Sequence, residues 1–437
     1  MTLCKKALLA MAALGTVTMS AAQAQDAGAS DALAASEASV FVFNTLLFLV
    51  SGMVVMFMAA GFCMLEAGLV RSKNAATICL KNIALFSVAG VMVYLVGYNL
   101  IYGDPDNALL GSFGAWGADD SDPVGLGYSA HADWFFQMVF VATAASIVSG
   151  ALAERIKLFP FLIFVALLTG FIYPIQASWE WGEGWLDGLG FSDFAGSTLV
   201  HSTGGWAALA GAFVLGPRVG KYVDGRVVPI PGSSLPLATL GTFILWLGWF
   251  GFNGGSQLAL GSIDDSISVA KIFVNTNMAA CGGVIAALAL TQTLYRKVDL
   301  TIVLNGAIGG LVSITAEPLT PAVWQAIAIG AVGGAIVTFT IPLLDRVKLD
   351  DVVGAIPAHL FCGVWGTLIV PLSNSDASYA VQLLGVVVIG IFVFSISLIC
   401  WLALRYTLGI RASKEDERAG LDKAELGLEA YPEFASN

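Results

Sequence analysis

Asp193-Phe194-Ala195-Gly196-Ser197-Thr198-Leu199-Val200-His201-Ser202-Thr203-Gly204-Gly205-Trp206 opens an apolar run that continues to Gly216 and stops at Pro217-Arg218. The run is long enough to cross a bilayer, and it carries a histidine. The arrangement returns 158 residues later. Asp351 precedes His359 by the same eight residues, again at the start of an apolar run, and Gly363 follows His359 by four as Gly205 follows His201. The chain thus carries Asp-x7-His-x3-Gly twice.

A polar ring in hydrocarbon is costly unless it is used or paired, so an intramembrane histidine is a functional candidate. The competing reading is a histidine bonded to a carbonyl that holds helices together. Two histidines in matched repeats, of only three in the chain, favour function. The third, His131, lies ahead of an apolar segment, two residues before Asp133, and is expected to be solvated.

Composition places the repeat in a polytopic membrane protein: 57% of the 437 residues are hydrophobic and 12% charged. The net charge of −11 comes mostly from loops and tail and gives no reason to expect nucleic acid. Residues 1–24 read as a cleaved signal peptide, with Lys5 and Lys6 ahead of an apolar stretch and Ala22-Gln23-Ala24 as the small-residue cleavage site. Residues 25–40 are then a short segment outside the membrane. Six cysteines contain no CxxC pair, and five of them fall in or beside apolar runs. That argues against disulfides and against a metal site, and no cofactor is expected.

Eleven membrane segments are expected, over 41–69, 82–102, 134–153, 158–177, 197–216, 237–260, 268–294, 301–315, 322–344, 352–372 and 379–404. The eighth is short and rich in glycine, as suits a helix packed against backbone rather than lipid. One set of loops carries Arg71, Lys73, Lys81, Arg155, Lys157, Arg218, Lys221, Arg226, Arg296, Lys297, Arg346 and Lys348, and the 405–437 tail adds more. The alternate loops carry at most Lys271. This bias places the first set and the C-terminus in the cytoplasm. An outer N-terminus and an inner C-terminus need an odd number of spans, as eleven is. The two Asp-x7-His segments are the fifth and tenth, so the second five-helix unit is inverted relative to the first. Inverted repeats place a substrate path near the midplane, between the halves. Asp193 and Asp351 are read mainly as caps for their helices, with direct ligand contact as the alternative.

Aromatic residues form two further groups. Phe136 and Phe140 are four apart and share a helical face. Trp249, Phe252 and Ser256 form a stripe of two rings and a hydroxyl. Such stripes are more often packing than binding. Trp179 and Trp181, in the loop before the fifth span, read by default as an interfacial belt.

These motifs together resemble the ammonium transporter family (Amt/Mep/Rh). The resemblance rests on Gly68-Leu69-Val70-Arg71-Ser72-Lys73-Asn74, Gly150-Ala151-Leu152-Ala153-Glu154-Arg155-Ile156, the Asp193–His201 stretch, Gly248-Trp249-Phe250-Gly251-Phe252-Asn253-Gly254-Gly255-Ser256, and Asn305-Gly306 through Gly310-Leu311-Val312. It covers nearly all of the mature chain. It implies an ammonium recruitment site at Trp181, Phe136 and Ser256, gating rings at Phe140 and Phe252, and a narrow pore lined by His201, His359 and Trp249. Asp193 would support the site from behind. It also implies a bacterial inner-membrane homotrimer with its N-terminal segment periplasmic, and a cytoplasmic regulator of PII type. Three departures stand out. Glu66 replaces an aromatic found in several bacterial members. Pro357 precedes the second histidine by two and is expected to bend that helix. Leu426-Gly427-Leu428 replaces the common His-Gly-Glu of the tail.

The residues themselves suggest how such a path works. Rings and a hydroxyl at a mouth stabilise a cation. An apolar constriction beneath disfavours the charged form, so ammonium passes by losing its proton, which potassium cannot do. A sensor that binds ammonium with little flux, and a channel for ammonia or carbon dioxide, are the other readings. The sequence contains nothing resembling a nucleophile–base pair, phosphate loop or metal cluster, so an enzyme is not expected. A reporter fused after Asn437 should be active only in its cytoplasmic form; activity of an export-dependent reporter there would invert the topology.

Overall fold

A computed structural model describes the backbone of 3–103 and 108–434 and the side chains of 35–103 and 108–433. The expected signal peptide and most of the 25–40 segment fall outside the described side chains. The chain is mostly helical, as hydrocarbon demands of a backbone that must satisfy its own polar groups. The principal helices are α1 (Leu3–Leu69), α2 (Ser72–Tyr102), α3 (Ala130–Ala151), α4 (Leu158–Ser178), α5 (Ser197–Leu215), α6 (Leu235–Gly255), α7 (Ile263–Tyr295), α8 (Leu300–Ile314), α9 (Val323–Arg346), α10 (Ile356–Leu372) and α11 (Tyr379–Thr407). Among the described residues nine are long and apolar enough to cross a membrane; α8 and α10 are shorter.

Each short helix has a physical reason. The 15 residues of α8 rise about 22 Å at 1.5 Å per residue. This helix lies against backbone, as its glycines predict. A Cβ on Gly310 would come 2.4 Å from the Ala279 carbonyl of α7, and one on Gly330 of α9 would come 1.9 Å from the same oxygen. Helix α10 begins four residues later than the expected 352 because Asp351–Gly354 forms a loop ahead of it. Pro357 falls in its first turn. A missing N–H has no helical partner to lose there, so the bend expected at Pro357 is unnecessary.

Helices α5 and α10 cross at the repeated glycines. A Cβ on Gly205 would meet Leu360, the residue after His359, at 2.6 Å. One on Gly363 would meet the Ser197 carbonyl at 2.3 Å and the hydroxyl of Ser202, the residue after His201, at 2.4 Å. The x3-Gly of the repeat is therefore a reciprocal contact: each glycine admits the partner segment beside the partner's histidine. Thr198 and Thr367 hydroxyls, 2.7 Å apart, join the same two helices.

The arginine-rich face is closed by buried ion pairs. Arg218 donates to both carboxylate oxygens of Asp350 at 2.9 Å, and Arg71 donates twice to Glu154. Arg218 also reaches Glu154 at 3.3 Å. Arg155 donates to the Asp350 carbonyl. Burial works to raise both carboxyls, but it is outweighed. The Arg218 hydrogen bonds and the Arg155 charge hold Asp350 well below the usual carboxylate range, and Arg71 with Arg218 lowers Glu154. The tail docks on this face. Asp422 accepts from the backbone N–H of Ala76 and Thr77 near the start of α2, and Glu417 accepts from Val219 and Arg411.

A carboxyl whose folded pKa is depressed adds stability above its unfolded value, near 3.9, and loses it as pH falls through the folded value. Asp350→Asn should therefore lower stability at pH 7 by about 1.5–3 kcal/mol, the scale of losing charge-assisted hydrogen bonds to a buried arginine that keeps only Glu154. The gap from the wild type should shrink below about pH 4. Thermal unfolding of both proteins in detergent across pH checks this.

Candidate functional site

Each histidine is set by a capped turn. The Asp193 carboxylate lies ahead of α5 and accepts four backbone N–H groups, from Gly196 and Ser197 on one oxygen and Thr198 and Leu199 on the other, at 2.7–3.2 Å. Burial pushes this carboxyl up to about 6, and the backbone donors restrain the rise. Asp351 does the same for α10, taking the N–H of Gly354 and Ile356. Gly196 (φ +100°) and Gly354 (φ +79°) turn the chain through the left-handed region between cap and helix. The sequence reading missed this fourth member of the repeat, although each glycine sits three residues after its aspartate. Both helices open with a π-helical turn, Ser197–Ser202 and Ile356–Phe361, and each turn contains the histidine. Such turns are rare and concentrate at functional sites.

The two histidines meet. Their Nδ1 atoms are 3.3 Å apart and their rings stack at 5.3 Å, so one ring donates and the other accepts. Both are buried. Nε2 of His201 has no hydrogen-bond partner among the described residues. Trp249 stacks on His201 at 4.9 Å and is fixed by its indole N–H donating to Thr315. Phe252 leans on the same imidazole at 5.2 Å. Above it Phe140 and Phe252 stack face to face at 4.0 Å, both buried. Phe136 meets Phe140 edge-on at 4.8 Å, and Trp181 does so at 6.1 Å.

A cavity opens above the phenylalanine pair on the face opposite the arginines. Trp181, Phe136, Phe140 and Ser256 all line it. The Ser256 hydroxyl donates to the Phe252 carbonyl at 2.8 Å, leaving its oxygen free to accept. The Trp181 indole donates to the Asp193 carbonyl, tying the cavity wall to the cap of α5. Trp181 therefore faces the cavity, and Trp179 is buried with its N–H on the Leu109 carbonyl; neither forms the interfacial belt expected from spacing. The reading also missed Asp133, a buried carboxylate in the cavity wall held by Tyr98 and Gln137. A charged residue one turn into an apolar helix was the available signal. His131 is exposed, paired with Asp120 at 2.9 Å, and apart from the site, as expected.

The ten residues singled out in the sequence thus fall into one file: Trp181, Phe136 and Ser256 at a mouth, Phe140 and Phe252 beneath, then Trp249 and His201, then His359, with Asp193 and Asp351 behind at opposite ends. A polytopic helical bundle with two matched capped helices and a buried file of rings between them defines a helical membrane protein. The chain belongs to the Ammonium Transporter Family, whose model matches residues 46–431. It is 41% identical to ammonium transporter Amt2 of Archaeoglobus fulgidus over 418 residues, 88% of this chain and 87% of that protein. Among solved structures it resembles a sensor Amt protein, with a TM-score of 0.81 and 34% identity over 88% of this chain and 98% of the other. Mep2 of Candida albicans aligns at a TM-score of 0.77 and 25% identity, over 86% and 87%.

Proposed function

We propose that the protein conducts ammonium across the cytoplasmic membrane by way of ammonia, with α8 and α10 crossing alongside the nine longer helices. The observation that carries the reading is the order of groups along the file: cation-attracting rings and a hydroxyl, then an apolar stack at 4.0 Å, then two imidazoles within hydrogen-bond reach. Ammonium is held at the mouth by Trp181, Phe136 and the accepting oxygen of Ser256. Asp193 holds the Trp181 wall and the start of α5 in register. The Phe140–Phe252 stack excludes water, so a charged species meets a steep desolvation barrier there. Loss of a proton to water at the mouth is the least costly way in. Ammonia then passes His201 and His359, which offer a donor and an acceptor where hydrocarbon alone would offer neither. The homotrimer and PII-type regulator implied by the family resemblance belong to the same proposal.

A second reading is supported by the likeness to a sensor Amt protein over 98% of that chain: binding of ammonium at the same mouth with negligible flux. Purified protein in liposomes under an ammonium gradient separates the two. Saturable ammonium flux with no potassium flux is the expected result; saturable binding without flux would favour the sensor. Ser256→Ala or Trp181→Leu should raise the half-saturating ammonium concentration about 3–10-fold, the scale of one partly desolvated cation–π or hydrogen-bond contact. Equal loss at all concentrations would show instead that the path had collapsed.

A further inference from the structure

Glu66 is fully buried near the end of α1, between His359 and the arginine-rich face. One carboxylate oxygen is engaged: Oε2 accepts from the Ser149 hydroxyl at 2.7 Å and lies 3.9 Å from Lys81 Nζ. The lysine gives its hydrogen bond to the Ser149 carbonyl at 2.8 Å. Oε1 has no partner among the described residues. An ionisable group at this depth is retained for pairing or for use, and pairing accounts for only one of its oxygens.

The space beside Glu66 supplies a use. A small cavity with room for about one water-sized molecule is lined by Glu66, His359, Phe62, Asn305 and Val353. Gly150 keeps it open: a Cβ there would come 3.5 Å from Glu66 Cγ and 2.5 Å from Val353. Asn305 and Val353 also line a wider cleft on the arginine-rich face, together with Asp299, Asp345 and Asp351. Arg218 and Lys221 line that cleft too, so it is mixed in charge, and its shared walls at Asn305 and Val353 place the carboxylate between the second imidazole and the cleft.

We propose that Glu66 is an inner binding site for the transported nitrogen, where ammonia leaving His359 regains its proton. The step rests on the conduction reading above. The Glu66 carboxyl donates its proton to the ammonia lone pair; an N–H bond forms, the O–H bond breaks, and ammonium stands beside the carboxylate. Ammonium leaves through the cleft, and a proton from water on that side restores the carboxyl. Lys81 keeps the site weak, since its charge competes for the carboxylate, and weak binding is what an exit requires.

Initial ammonium flux is measured against ammonium concentration in right-side-out and everted membrane vesicles. The variants are Glu66→Gln, Glu66→Asp and the double variant Glu66→Gln/Lys81→Met, which leaves no unpaired lysine. Half-saturation for ammonium supplied from the arginine-rich side should rise about tenfold, the scale of one charge-assisted hydrogen bond, in Glu66→Gln and in the double variant. It should rise less in Glu66→Asp. Supply from the opposite side should give an unchanged half-saturation in all three. Unchanged values from both sides, or equal changes from both, would reduce Glu66 to a partner of Lys81 and overturn the proposal. Absence of flux in the wild type would remove the conduction reading itself, and this step with it.

Discussion

A carboxylate folded back over the first turn of a helix is the interaction on which the centre of this molecule depends. Asp193 satisfies four of the backbone donors that open α5, and Asp351 takes two at the start of α10. Helix starts leave such N–H groups without helical partners, and at buried ends each unmet donor is costly. The caps make it possible to begin both helices inside the protein. Each begins where its π-helical turn presents a histidine to the other, and the glycines that follow let the two segments touch. If either carboxylate is removed, the turn, the histidine and the crossing lose their common anchor.

The remainder of the structure packs apolar rings on one side of that contact and buried ion pairs beyond the other. Phe252, stacked on Phe140, and Trp249 form an apolar wall on His201, so the two imidazoles sit in surroundings of low dielectric, where a hydrogen bond made or lost counts for more. On the arginine-rich face, Arg71, Glu154, Arg218 and Asp350 fix the loops between helices through pairs that are buried and geometrically well made. The tail is tied into the same face by Asp422 and Glu417. Membrane helices gain little from hydrophobic segregation among themselves, so backbone-to-backbone glycine contacts and these ionic clasps hold the bundle in register.

The helical membrane fold and the twin histidines were legible because hydrophobic length and an isolated imidazole are local signals. Spacing placed His201 and His359 in equivalent positions, and inversion of the repeat brought them together. Short helices were harder. The start of α10 was misplaced because Val352 and Val353 are apolar but belong to the capping loop. Trp179 and Trp181 read alike as belt residues, yet one is buried against Leu109 and the other faces a cavity; only tertiary packing separates them. Asp133 and the Arg218–Asp350 pair were legible as charges but not as partners, since the contacts join residues far apart in sequence. The glycine three residues after each aspartate was legible and overlooked.

The central claim is that His201 and His359 form the path rather than fill space. Ammonium and potassium flux into liposomes, compared between wild type, His201→Ala and His359→Ala, tests it most directly. Each substitution leaves the other imidazole without its partner, a penalty of about 1–3 kcal/mol that an otherwise well-packed bundle should survive. The account predicts assembled protein whose ammonium flux falls at least about tenfold, as loss of that one contact implies, with potassium flux still absent. Wild-type ammonium flux and selectivity in both variants would contradict it.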